Sequence, residues 1–135
     1  TLAGDRPRVV SNQLGTHQNL LRQLAEGLHA LRAALVEIGR WETTVVATYS
    51  EFGRRPRENQ SGGTDHGTTA AHLAMGGRVR GGLYGEPPAL DRLDATGNST
   101  HALDFRRYFA TFLERHWDIP SGEVLRGRFE PLPFI

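Results

Sequence analysis

Leucine and isoleucine recur along the first third of the chain at spacings of three and four: Leu20, Leu21, Leu24, Leu28, Leu31, Leu35 and Ile38. That period lines them along one face of a helix, predicted over 16–38, with Thr16 as its N-cap and Gly39 as its stop. The opposite face carries Arg22, Glu26, Arg32 and Glu37, as a solvated face should. Residues 1–15 are polar and irregular, with Val9-Val10 offering one short strand. After the helix, Thr44-Val45-Val46-Ala47-Thr48-Tyr49 is β-branched and shows no polar alternation. It predicts a buried strand, covered on both faces as in a parallel sheet. Residues 51–69 turn polar and rich in Gly, Arg and Asn, which reads as one long loop. The run 70–77 is a weaker strand candidate, and Gly81-Gly82 and Pro87-Pro88 mark turns.

A second amphipathic helix is predicted over 103–117, with Phe105, Tyr108, Phe109, Phe112, Leu113 and His116 or Trp117 inward. Ser99 or Thr100 would cap it, and Asp104 in its first turn suits the helix dipole. The tail 127–135, with Pro131 and Pro133 among apolar residues, reads as an extended arm lying on the body. A helix followed by a strand is half of an α/β repeat. The 135 residues are expected to form one domain, or the C-terminal portion of a larger one.

Composition narrows the chemistry. Net charge is +1 and every basic residue is Arg, so neither broad electrostatic nucleic-acid binding nor lysine Schiff-base chemistry is expected. The absence of Cys excludes thiol catalysis, disulfides and thiolate metal sites. No apolar run approaches the roughly 18 residues of a membrane-spanning helix.

What remains is a carboxylate–imidazole chemistry. Asp65-His66 sits inside Gly62-Gly63-Thr64-Asp65-His66-Gly67-Thr68, and these two side-chain types hold divalent metals such as zinc and manganese. Glycines let the backbone bend and let a ligand approach. Glu51 follows the predicted strand, at the edge where open α/β sheets bind ligands. Glu51, Asp65 and His66 would make three donors. The plain alternative is that Asp65-His66 is a turn device. Of the cluster Arg54, Arg55 and Arg57, Arg54 stands nearest the strand end and could fork onto a phosphate or sulfate. Against that stands an ordinary solvated loop. His72, His101, His17 and His29 rank below His66 as ligands, and Ser61, Thr64 and Thr68 have no evident base to activate them.

Five segments in order, 48–54, 62–68, 81–85, 104–115 and 127–129, together resemble one family. It is that of the bacterial sulfatase-like proteins called domain of unknown function 1501, in their C-terminal third, from about Asn12 to the end. Those proteins are similar to the alkaline phosphatase superfamily. The resemblance implies a partial alkaline-phosphatase-like parallel sheet flanked by helices. It further implies metal-dependent hydrolysis of an anionic phosphate or sulfate ester, with zinc, manganese or calcium as the ion. Two alignments stay open. Glu51-Phe52-Gly53 stands where the superfamily has Asp-His-Gly after a strand, or Asp65-His66 is itself that pair. The family's Asp-Thr-His before the long helix is replaced here by the segment Asp5 to Ser11. The superfamily's nucleophile lies in an N-terminal half outside this chain. The resemblance therefore also raises a missing N-terminal half or a homo-oligomer as partner, a non-catalytic assembly module as rival function, and a periplasmic or secreted setting.

Overall fold

The computed structural model describes residues 13–135. Val9-Val10 and the segment Asp5 to Ser11 lie outside them. Helix α1 spans Gln13–Glu37, so it starts before the expected cap, and Thr16 lies inside it. The stop is as expected. Gly39 takes φ 65°, its N–H donates to the Val36 carbonyl, and the Arg40 N–H donates to Leu35. This is a Schellman ending, and the left-handed residue it needs is the glycine. A 3-10 turn over Trp41–Thr43 then leads into β1, Val45–Ala47.

β1 falls in the β-branched run expected as a strand, but it is half-buried rather than covered on both faces, and its pairing is antiparallel rather than parallel. It pairs antiparallel with β4, Ala74–Gly76, in register Val45↔Gly76. Gly76 suits that pairing because a Cβ there would meet the Thr44 carbonyl. Between these strands the expected long loop is instead a hairpin of β2, Gly53–Glu58, and β3, Thr64–Gly67. The described residues thus mix helix with two small antiparallel sheets, β1 with β4 and β2 with β3.

The second helix, α2, spans Phe105–Thr111 and widens into a π-helical turn over Phe112–His116. The Trp117 N–H reaches back five residues to the Phe112 carbonyl. The cap is Asp104, not Ser99 or Thr100: its carboxylate accepts from the Arg106 N–H at 2.9 Å. A short helix α3, Ser121–Leu125, follows, and the left-handed Arg126 ends it.

The core gathers Tyr108, Ala110, Phe112, Leu132 and Phe134. Tyr108 and Phe112 meet edge to face, centroids 4.6 Å apart. The Tyr108 hydroxyl donates to the Leu73 carbonyl, fixing α2 against the approach to β4. Fully buried Thr111 donates to the Arg107 carbonyl and accepts from the Leu132 N–H, both at 2.8 Å. The tail is therefore part of the core rather than an arm laid over it. Phe105, expected inward, is exposed, and of the alternatives His116 and Trp117 it is His116 that is half-buried while Trp117 is exposed.

Two apolar surfaces stay open among the described residues. One is the leucine face of α1, where Leu21, Leu24, Leu31 and Ile38 are 53%, 49%, 41% and 66% exposed. The other is a groove of about 290 Å³ between β1 and the α2–α3 region, lined by Val45, Tyr49, Phe109, Phe112, His116 and Trp117. The His116 Nδ1 is buried there without a hydrogen-bond partner.

Candidate functional site

The candidate residues fall on the hairpin, and the hairpin is held by backbone contacts more than by side chains. Gly53 faces Gly67 across the two strands. A Cβ on Gly53 would stand 1.8 Å from the Thr69 carbonyl oxygen, and one on Gly67 would stand 2.6 Å from the Arg54 carbonyl carbon. Only glycine permits that approach. Pairing continues as Arg54↔His66 and resumes at Glu58↔Thr64, so β2 bulges between Arg54 and Glu58. Pro56 sits in that bulge, where its missing N–H costs no ladder bond.

The turn is organised by Asn59. Its side-chain oxygen accepts from the Ser61 and Gly63 N–H groups, and its amide donates to Asp65 Oδ1 at 2.9 Å. Gly62 supplies φ 67°. The Gln13 N–H donates to the Gly62 carbonyl, tying the start of α1 to the hairpin tip.

On this scaffold Arg54, Asp65 and His66 are all exposed. Arg54 Nη1 donates to the Thr64 carbonyl at 2.9 Å, which fixes one arm of the guanidinium and leaves the rest available. Successive side chains of a strand leave opposite faces. Asp65 accordingly meets Asn59, while His66 stacks on Phe52 with ring centroids 3.8 Å apart. Glu51 lies exposed in the bend before β2. Among the described residues no three His, Asp or Glu side chains gather as a metal ion would need. Glu51, Asp65 and His66 share one hairpin region but do not form a complete ligand set.

The other histidines are spread out. His17 contacts Gln13 within α1, His29 is exposed on the same helix, and His72 stacks on Tyr108. His101 is exposed, three residues before Asp104. Thr68 donates to the Ser99 carbonyl and Thr64 contacts Gln13, so both serve the scaffold.

Two residues at the site escape a reading of residue types alone. Asn59 could have been found from the Asn59-Gln60-Ser61-Gly62-Gly63 run, a turn composition between two strands. Phe52 carried no such signal, because its role appears only once the strand register sets it beside His66.

No curated protein and no solved structure matches the chain. One family model does, described as a protein of unknown function (DUF1501), over residues 11–129. That span includes the hairpin, both long helices and most of the core, and on it the chain belongs to the DUF1501 family.

Proposed function

We propose that the chain supplies one wall of a site that hydrolyses phosphate or sulfate esters, and that the β2–β3 hairpin is that wall. One observation carries this reading: a guanidinium and an imidazole stand exposed side by side on a strand pair locked by two close-packed glycines, with the Asp65 carboxylate exposed on the other face. Arg54 would hold the ester oxyanion with the donors that Thr64 leaves free. His66 would hold or move a proton at an imidazole nitrogen, and Asp65, braced by Asn59, would keep its second oxygen for a ligand.

A divalent ion, if bound, would polarise the ester oxygen and lower the pKa of a bound water. Because Asp65 and His66 leave opposite faces of β3, whichever of them held the ion, with or without Glu51, would need further donors from outside the described residues. An alkaline-phosphatase-like parallel sheet belongs to the same proposal, with its next strand on the open edge of β1, as does a periplasmic or secreted setting.

The test is metal content of the purified chain by mass spectrometry, beside an Asp65→Ala/His66→Ala double variant, with aryl phosphate and aryl sulfate hydrolysis as the second readout. Near-stoichiometric zinc, manganese or calcium, lost in the variant, is the expected result. An equal metal content in both proteins, or none in either after incubation with excess ions, defeats the reading.

A second reading is an assembly module in which a second copy covers apolar surface. Among the described residues the leucine face of α1 is uncovered and β1 is paired on one edge alone, and both favour it. A concentration-dependent oligomer with neither metal nor hydrolysis would select it.

A further inference from the structure

Phe52 is a large apolar side chain left 39% exposed in a polar stretch, and it belongs neither to the core nor to any donor set. Its ring lies almost parallel to the His66 imidazole, 18° apart at a centroid distance of 3.8 Å. The Arg54 guanidinium carbon stands 5.4 Å from the centre of the same ring. One aromatic ring therefore lies beside two of the three groups on which the hairpin's chemistry rests, His66 and Arg54.

The backbone explains how the ring comes to be there. The Ser50 hydroxyl donates to the Phe52 carbonyl at 2.6 Å, which fixes the chain just ahead of β2. Gly53 follows, and its pairing with Gly67 leaves no side chain between the strands at that point. The next pair is Arg54↔His66, so both side chains rise beside the ring. The backbone sets where His66 begins but not how its ring turns. The outer torsion of a histidine is broad, and an exposed imidazole samples it unless something holds the ring.

We propose that Phe52 is the positioning residue of this hairpin: its ring fixes the plane of the His66 imidazole and carries the Arg54 cation. An aromatic face attracts a cation and stacks on an imidazole, and an aliphatic side chain of similar volume does neither. Phe52 thus does its work without touching a ligand, in the way outer partners orient a metal-binding or proton-carrying histidine. The use of that orientation rests on the ester-hydrolase reading, while the orientation itself is measured with no substrate present.

The experiment is NMR of the whole chain labelled at the histidine rings, with His66→Gln identifying its resonance among the six. A ring stacked on Phe52 has its proton resonances displaced upfield. The displacement is expected to be lost in Phe52→Leu and kept in Phe52→Tyr. Zinc alone, titrated into the same proteins, is expected to bind Phe52→Leu about tenfold more weakly or worse, with tyrosine restoring it. A His66 resonance unmoved in Phe52→Leu overturns the positioning role, whatever the zinc does. Zinc affinity equal in parent and Phe52→Leu overturns its bearing on ligands. Zinc bound by none of the proteins, with the upfield displacement still lost in Phe52→Leu, removes zinc as the ion of the hydrolase reading and leaves Phe52 as the residue that orients His66.

Discussion

Gly53 and Gly27 are the same residue in opposite surroundings, and they predict opposite responses to one added carbon. At Gly53 the added Cβ would meet the Thr69 carbonyl, which is backbone and cannot swing aside. The strand pair has to part, so Gly53→Ala is expected to destabilise by about 1–3 kcal/mol, the usual range for overpacking. At Gly27, inside α1, nothing lies within 4 Å of the added carbon. There alanine is expected to stabilise by about 0.5–1 kcal/mol, since it loses less backbone freedom in a helix than glycine does. Urea unfolding of the two variants beside the parent checks both signs. A Gly53→Ala protein as stable as the parent would mean that the strands do not close as described. At this scale the sequence was partly legible. The glycines of 62–67 mark a place of close approach, but their composition suggests approach to a ligand. At Gly53 and Gly67 the approach is of one backbone to another, and only the register reveals it. Phe52 was illegible for the same reason: taken by residue type it is merely a side chain that cannot bind metal.

Among the elements, α2 depends most visibly on a single side chain. Asp104 accepts from the Arg106 N–H and forms a two-pronged pair with the Arg106 guanidinium, Nη2 to Oδ2 at 2.6 Å. The Arg106 side-chain hydrogen bonds, ahead of the backbone N–H, hold the Asp104 carboxyl well below its ordinary 3.8, at about 2. A carboxyl whose pKa is depressed on folding stabilises the folded state at pH above the unfolded value, and that stability is lost as pH falls. The window here runs from about 4 down to about 2. Asp94 shares it, held to about 2 chiefly by the Asn98 N–H and the Thr96 hydroxyl. Asp104→Ala is expected to cost about 1 kcal/mol near neutral pH, the usual value of an N-cap. Asp104→Asn keeps a capping oxygen and should lose less, while flattening the acid side of the stability profile. Urea midpoints between pH 2 and 7 separate the two roles. An Asp104→Asn profile as steep as the parent's would place the acid sensitivity elsewhere.

Both long helices were legible, because apolar spacing of three and four admits little else. The cap was not, since Ser99, Thr100 and Asp104 are all competent residues and only geometry chooses among them. The hairpin was missed because 53–58 and 64–67 hold one β-branched residue, Thr64, and no aliphatic or aromatic side chain apart from Pro56 and His66. Glycine contact and the Asn59 turn hold those strands, and neither leaves a hydrophobic period.

At the scale of the molecule, the buried apolar set among the described residues is small, while α1 and the groove beside β1 present leucine, isoleucine, tyrosine and tryptophan to solvent. Periodicity made the α1 stripe easy to read, yet a period reports only that a face is apolar. It does not report what lies on that face, and the described residues lay little there. A contiguous apolar surface of this kind is costly to leave wet and marks a site of association. The stripe runs along a 25-residue helix, about 37 Å at 1.5 Å per residue, which is long enough for another helix to lie against it. The isolated chain is therefore expected to self-associate as its concentration rises. Leu24→Glu with Leu31→Glu puts two charges into the stripe without touching the core and should shift the population toward monomer, with helicity by circular dichroism unchanged. Light scattering after size exclusion, over about a hundredfold range of concentration, gives the mass directly. A parent that stays monomeric throughout would show that α1 remains soluble with its stripe open and would remove the main support for the assembly reading. It would leave the hairpin, with Arg54, Asp65 and His66, as the feature of this chain that most calls for a function.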